Sequence, residues 1–204
     1  MSCPAISNNM NHWAALKADI HRTWSYTRAG KLRRVLECVR APGVQTMVVF
    51  RYGQWARSMP LIARIVLDPI YFVLNGYIQI VWGIELPRGA TVGPGLYIGH
   101  FGGITISART VIGSHCNLSQ NITIGVSGKG EKRGVPVIGD YVYIAPGVRL
   151  FGKITIGNNA KIGANAVVYK SIPDNAVAVL DPGFKIIEAE PNTRPASDDS
   201  ESPD

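Results

Sequence analysis

The chain has 204 residues and a formal net charge of +7, a length that allows one or two domains with a substantial core. The charge is uneven, because the stretch 188–204 holds six acidic residues while the rest holds eight against 20 lysines and arginines. A basic body predicts anionic partners such as CoA phosphates, an anionic saccharide or a membrane surface. We expect no nucleic-acid partner, since no nucleic-acid-binding motif is visible.

The cysteines and the first residues bear on the compartment. Cys3, Cys38 and Cys116 are odd in number and scattered, which fits neither a disulfide framework nor a metal site. The start of the chain, 1–11, is polar and has no apolar run of the kind found in secretory signals. We therefore predict a cytoplasmic protein without a bound metal, and leave open contact with the inner face of the cytoplasmic membrane.

The N-terminal part predicts a helical region over 12–82, preceded by a disordered start over 1–11. Apolar residues at helical spacing predict one helix over 12–41 and a second over 44–58. Cations crowd the second half of the first helix, namely Arg28, Lys31, Arg33, Arg34 and Arg40. They indicate either a solvated face or contact with anionic lipid.

The stretch Leu61–Trp82 is the most apolar part of the chain. It contains Arg64 and Asp68, which are spaced to pair across one helical turn, and Pro69. Three interpretations stay open: burial at the cap of the following domain or of an oligomer, a position in a membrane interface, and a membrane span.

From Ile84 to about Val179 an aliphatic residue recurs every sixth position, often followed by glycine. Three registers contain these residues: Leu86, Val92, Ile98 and Ile104; Ile106, Ile112, Leu118 and Ile124; and Ile138, Ile144, Leu150, Ile156, Ile162 and Val168. A period of six fits neither a helix nor an alternating strand. It predicts a β-solenoid in which each six residues form one face of a coil.

Two interruptions break this repeat. The register shifts by two between His100 and Ile106, and the segment from Ser127 to Pro136 is rich in glycine, lysine and arginine. Interruptions on repeat scaffolds commonly carry binding loops. We therefore expect the functional sites at these two places.

The same residues carry a family resemblance. The segments Ile84–Pro87, Tyr97–Gly103, Gln120–Lys129 and Pro136–Gly139 resemble the serine acetyltransferase branch of the hexapeptide-repeat acyltransferases. The resemblance implies a mainly β fold, a left-handed parallel β-helix over 83–187, a homotrimer, and acetyl-CoA bound between subunits. The tail, 188–204, is predicted to be disordered.

Acetyl transfer to a hydroxyl needs a base, and histidine suits that role near neutral pH. The repeat contains His100, at the first interruption, and His115, on a regular coil. The resemblance implies that His100 is the catalytic base. It also implies that Glu85 orients His100, in the position of a family aspartate. A charged residue at the entry to the repeat is the alternative interpretation of Glu85.

The second interruption offers backbone N–H groups and cations for the thioester and phosphates of CoA. Small residues on later coils match family positions where the pantetheine arm lies against backbone. The predicted donor-binding residues are Gly125, Ser127, Gly128, Lys129, Arg133, Ala145, Gly163 and Ala164. A solvated basic loop and simple packing within the repeat are the alternatives.

One departure decides the predicted acceptor. Val135 stands where serine-using enzymes carry a second histidine, and Gly99 replaces a second family acid. The short, apolar N-terminal region resembles exopolysaccharide acetyltransferases of the colanic acid type. We therefore predict an acetyl-CoA-dependent O-acetyltransferase acting on a free or lipid-linked saccharide in exopolysaccharide or capsule synthesis. The alternatives are a serine O-acetyltransferase of cysteine biosynthesis and a non-catalytic structural solenoid.

Overall fold

A computed structural model describes residues 11–26 and 30–180. The predicted disordered start, apart from Asn11, lies outside the described residues, as does the predicted disordered tail over 188–204. The last residues of the predicted β-helix domain, 181–187, also lie outside them.

Four helices precede the repeat: α1 (His12–Tyr26), α2 (Lys31–Arg40), α3 (Pro42–Arg57) and α4 (Leu61–Tyr77), the last continued by a π-helical turn over Ile78–Trp82. The prediction of one helix over 12–41 is wrong. Helix α1 ends at Tyr26, and Gly30 is extended (φ −63°, ψ 156°) where α2 begins. Glycine has a lower helix propensity than every residue except proline, so the helical pattern is weakest at Gly30.

The repeat forms a left-handed parallel β-helix, as predicted. Its strands are β1 (Ile84–Glu85), β2 (Thr91–Val92), β3 (Tyr97–Ile98), β4 (Ile104–Ile106), β5 (Val111–Ile112), β6 (Asn117–Leu118), β7 (Thr123–Gly125), β8 (Val137–Ile138), β9 (Tyr143–Ile144), β10 (Arg149–Phe151), β11 (Thr155–Ile156), β12 (Lys161–Ile162), β13 (Val167–Val168) and β14 (Val177–Ala178). The first face is β1-β4-β7-β10-β13, the second is β2-β5-β8-β11, and the third is β3-β6-β9-β12-β14. Every pairing between these strands is parallel.

The strand register shows which coils differ in length from the regular coil of three six-residue units. Thr105 pairs with Thr123, which is the regular advance of 18 positions. The preceding coil advances by 20 positions and so contains the two extra residues around His100, whereas Thr123 pairs with Arg149, 26 positions on. Both predicted interruptions are therefore present. The last coil advances by only 16 positions, from Lys161 to Val177, which the sequence pattern did not predict.

The aliphatic residue of each six points into the β-helix and is buried, as Ile112, Ile138 and Ile156 illustrate with no exposed surface. The glycine after it is needed for stacking. A Cβ added to Gly113 would lie 2.4 Å from the carbonyl oxygen of Gly139 in the next coil. This is far inside ordinary contact distance, so a side chain there would force the coils apart.

The open edge of the first coil is capped by the helices. Strand β2 is at the edge of its sheet, and the Arg51 guanidinium of α3 donates to the carbonyl oxygens of Val92 (2.8 Å) and Gly93 (2.7 Å). Asp19 of α1 accepts from Arg51 Nε (2.9 Å) and from the Leu96 backbone N–H (2.9 Å). The pair thus satisfies edge groups that lack a coil beneath them and attaches two helices to the β-helix.

Candidate active site

His100 lies at the corner where the chain passes from the third face to the first. It follows β3 and precedes β4, in the coil that gains two residues, and its side chain is exposed. The corner turns through Gly102 (φ 96°) and Gly103 (φ 67°), backbone angles that residues with a Cβ rarely adopt. The enlarged corner therefore presents the imidazole outward beside two residues that have no side chain.

The corner is held from the coils on both sides. The backbone N–H of Asn121 donates to the Gly102 carbonyl oxygen (2.8 Å), and that of Ile104 donates to the Gly83 carbonyl oxygen (3.1 Å). A Cβ on Gly103 would lie 3.0 Å from Asn121 Oδ1. The position of the corner is thus set by close backbone stacking.

An aromatic contact supports the corner from the helical side. The Phe101 ring meets the Trp82 ring edge to face at a centroid distance of 5.1 Å, and Trp82 Nε1 donates to Gln45 Oε1 (3.0 Å). Sequence reasoning did not identify this contact. One sequence feature could have indicated it: the aromatic residue directly after His100 does not fit the six-residue pattern.

Glu85 lies on the first face, with its side chain exposed and its Cα paired with that of Thr105. Glu85 lies two residues after Gly83, whose carbonyl oxygen accepts a hydrogen bond from the Ile104 N–H. Strand β1 therefore lies beside the backbone of the His100 corner. Among the described residues, no hydrogen bond or ion pair joins the side chain of Glu85 to that of His100. The predicted orienting contact remains a prediction.

The second interruption forms a compact extension at the corner between the first and second faces. The backbones of Ser127 and Gly134 exchange two hydrogen bonds (3.1 and 3.0 Å), which close the loop, and a short 3-10 turn lies within it at Gly130–Lys132. Lys129 and Arg133 flank that turn and are exposed.

A groove of about 510 Å³ lies between this extension and the following coils. Its lining residues are Ser127, Gly128, Glu131, Phe151, Gly152, Lys153, Ile154 and Tyr169. Of the predicted donor residues, Ser127 and Gly128 line the groove. Gly125 does not line it, but pairs with the lining residue Phe151 in the neighbouring strand. The aromatic residues of this lining were not predicted, because both occupy ordinary outward positions of the repeat.

The predicted donor residues fall into two groups on different corners. Ala145 and the pair Gly163–Ala164 follow third-face strands, so they lie above His100 on its own corner. The extension, from Gly125 to Arg133, lies at the opposite edge of the first face. A strand of three residues is about 10 Å long, so the two groups of donor residues start about one strand length apart in a single protomer.

His115 lies elsewhere, at the turn between the second and third faces. It has a positive φ of 58°, and its ring stacks on Tyr141 with a centroid distance of 5.1 Å. Val135, in the position of the second family histidine, is half-buried before Pro136 and offers no polar group. Within the described residues no three acidic, histidine or cysteine side chains come close enough to bind a metal ion.

Comparisons with known proteins agree on one family. A family model for the bacterial transferase hexapeptide (six repeats) matches residues 136–170. A serine acetyltransferase of Synechococcus elongatus is 30% identical over 165 residues, covering 80% of this chain and 64% of the relative. A serine acetyltransferase of Helicobacter pylori is 32% identical over 140 residues, covering 68% of this chain and 77% of the relative.

A solved structure gives the same result. Serine acetyltransferase isoform 3 of Entamoeba histolytica, in complex with cysteine, has a TM-score of 0.69 and 27% identity, covering 88% of this chain and 61% of that one. The chain thus spans less than two thirds of the Synechococcus relative and of the Entamoeba structure.

These findings correct the predicted acceptor. The resemblance to exopolysaccharide acetyltransferases and the saccharide acceptor, free or lipid-linked, are wrong, because the matched relatives are serine acetyltransferases. The prediction gave too much weight to the N-terminal region and to Val135. An alignment of 165 residues runs from the β-helix well into the helical region, so these helices do not mark a different branch.

Proposed function

Because this chain belongs to the serine acetyltransferase family, we propose that it transfers the acetyl group of acetyl-CoA to the hydroxyl of L-serine. The observation that carries the proposal is the exposed imidazole of His100 at the corner enlarged by two residues. A hydroxyl and a thioester can approach it there without meeting a side chain from Gly102 or Gly103. A solenoid with a purely structural role has no need of such an enlargement.

In the proposed reaction a ring nitrogen of His100 accepts the serine hydroxyl proton as the hydroxyl oxygen attacks the thioester carbonyl carbon. The tetrahedral adduct then collapses by breaking the carbon–sulfur bond. The imidazolium returns the proton to the departing sulfur, which gives O-acetylserine and CoA. Glu85 stabilises the imidazolium and orients the ring after a change of rotamer. A positioned base of this kind contributes about 10²–10⁴-fold in rate.

We further propose that acetyl-CoA lies between neighbouring protomers of a homotrimer. The support is the separation of the two groups of donor residues, on opposite edges of the first face. A neighbour that presents its extension to this protomer's His100 corner brings them together. Lys129 and Arg133 then face the CoA phosphates, and Gly163 and Ala164 leave room for the pantetheine arm, whereas Ala145 is buried in the β-helix core.

The decisive assay measures CoA thiol release with L-serine and, separately, with neutral and acidic sugars as acceptors. We expect release with serine, and a loss in kcat of about 10²–10⁴-fold for His100→Ala. His115→Ala is the matched control, because its imidazole lies on a different corner, and it should retain activity. Glu85→Gln should lose less than His100→Ala, because an amide still accepts a hydrogen bond.

Three kinds of result contradict these proposals. Thiol release with sugars but not with serine shows that the acceptor assignment is wrong. Full activity of His100→Ala, or an inactive His115→Ala, shows that the base is misassigned. A monomeric mass in light scattering, at a concentration with full activity, contradicts the shared donor site.

A further inference from the structure

Helix α4 and its π-helical turn present apolar residues outward, which is the reverse of an ordinary surface helix. Their outward side is apolar almost throughout, with Ile62 83% exposed and Ile80 87% exposed. The other exposed apolar residues of this outward face are Leu61, Ile65, Val66, Ile70, Phe72, Val73, Leu74, Tyr77 and Val81. A helix packed on a water-soluble body normally turns its charged face outward and its apolar face inward.

The charged groups of α4 face the protein instead. Asp68 accepts hydrogen bonds from Arg88 (2.5 Å) and from Arg64 (3.4 Å). The guanidinium of Arg88 also lies over the Tyr71 ring, 4.6 Å from its centroid. The ion-paired residues of this helix thus face the protein, and the apolar surface is left without cover in the described structure.

Helix α2 extends the apolar surface. Its exposed apolar residues recur at the spacing of one helical face: Leu32, Val35, Leu36 and Val39. A groove of about 460 Å³ connects α2 to α4, lined by Val39, Val44, Val48, Leu74 and Tyr77 together with neighbouring residues. We call the outward sides of α2 and α4, with this groove, the apolar platform.

Positive charge surrounds the platform on the α2 side. Helix α2 carries Lys31, Arg33, Arg34 and Arg40 against a single acid, Glu37, which pairs with Arg33 at 2.8 Å. A short helix with an apolar face and a cationic remainder is the pattern of a helix that lies in a membrane interface. Anionic headgroups attract such cations at short range.

We propose that the apolar platform docks onto an anionic lipid surface, with α4 lying flat in the interface. By length and composition Leu61–Trp82 is also able to cross a membrane, with a mean hydropathy of 1.5. The internal side of α4 excludes a simple crossing, because Tyr71 and Ile78 are buried in the protein and Asp68 is ion-paired there. One side of this helix is committed to the protein, so only the outward side is available to lipid.

A second copy of the chain is the competing occupant. A two-fold contact through the platform buries the same surface of both copies, so it brings the cations of both α2 helices into one interface. Like charges at such a contact repel, whereas anionic lipid neutralises them. The charge pattern therefore favours lipid over a two-fold contact through the platform.

The platform ends beside the candidate active site. Trp82, the last residue of the π-helical turn, contacts Phe101, which directly follows His100. Docking would therefore hold the His100 corner close to the lipid surface without placing lipid in the reaction. The inference does not depend on the acceptor, because vesicle binding is measured without acetyl-CoA or serine.

The test is co-flotation of the full chain with vesicles of phosphatidylcholine mixed with phosphatidylglycerol, and with phosphatidylcholine alone. We expect binding to the anionic vesicles that weakens as salt is raised. Ile62→Gln with Ile65→Gln should abolish it, while the matched control, Val177→Gln on the last coil, should bind as the parent does. These side chains are largely exposed, so their replacement leaves the fold intact, which circular dichroism checks.

A second pair of variants tests the charge. Lys31→Gln with Arg40→Gln should weaken binding to anionic vesicles by about fivefold for each cation removed. Lys161→Gln, an exposed cation of the third face, is the control and should have no effect. Vesicle binding that survives Ile62→Gln with Ile65→Gln overturns the proposal. Absence of vesicle binding, with self-association that the same substitutions disrupt, shows that a second copy covers the platform.

Discussion

The buried pair of Asp19 and Arg51 allows the sharpest stability prediction. Their side chains are 1% and 0% exposed, and the contact links α1 and α3 to the edge of the β-helix. Asp19→Asn removes the anion and leaves the guanidinium buried without a counter-charge. Removing one partner of a buried pair costs about 3–5 kcal/mol, which is a large share of the free energy of unfolding of a typical domain.

Arg51→Met should cost at least as much. It leaves the Asp19 carboxylate with only backbone N–H partners, those of Leu96 and Gly95, and it frees the Val92 carbonyl oxygen at the sheet edge. An unsatisfied buried acceptor adds about 1–3 kcal/mol to the loss of the ion pair. The double variant leaves no buried charge, so it should cost less than the sum of the single variants by about 2 kcal/mol or more.

Urea unfolding of all four proteins measures this coupling. The tryptophans all lie in the helical region, at 13, 24, 55 and 82, so their fluorescence reports the helices while circular dichroism reports the whole chain. We expect the fluorescence transition of each single variant to shift more than its circular dichroism transition. Effects of the single variants that add within about 0.5 kcal/mol would refute the argument that the two side chains act as a pair.

Three further predictions concern other residues. Replacing both Lys129 and Arg133 with alanine should raise the KM for acetyl-CoA more than it lowers kcat, and an unchanged KM would show that the loop is only solvated. The hydrogen bond from Arg88 lowers the pKa of Asp68, so this carboxylate stabilises the fold above its unfolded pKa and the stability is lost as pH falls through the folded pKa. Asp68→Asn should therefore flatten the pH dependence of the urea midpoint in acid, and an unchanged profile would contradict this. Burial raises the pKa of the Cys116 thiol to about 12, so native protein at mildly alkaline pH should show no labelling of this residue by a thiol reagent, as judged by peptide mass, until urea unfolds it.

The candidate site was predictable from sequence to the extent that it is local. The shift of register at His100 and the basic insertion after Gly125 both appear as breaks in a six-residue period, and both are present in the coil lengths. The sequence did not show that the donor residues lie on two different corners, because that placement depends on the number of residues in each coil. The aromatic support from Trp82 to Phe101 joins a helix to a corner, and no local pattern encodes it.

The acceptor shows a different limit of sequence reasoning. Val135 replaces one polar family residue, and that substitution, together with the short apolar N-terminal region, suggested a sugar acceptor. The relatives show that the family assignment extends across the helices as well as the repeat. A single substitution is a weaker guide to the reaction than agreement over most of the chain, because several groups can supply the same contact.

By itself the sequence determined the β-helix, its inward aliphatic residues and its two interruptions. The six-residue period is a local pattern. The aliphatic residue of each six must face inward in every coil, and this does not depend on distant parts of the chain. Only the tertiary structure decided which side of α4 faces outward. Its charged residues and its apolar residues occupy opposite sides, and the pairing of Asp68 with Arg88, 20 positions away, turns the charged side inward. That long-range contact, which no helical period reveals, leaves an apolar platform on the surface of the protein.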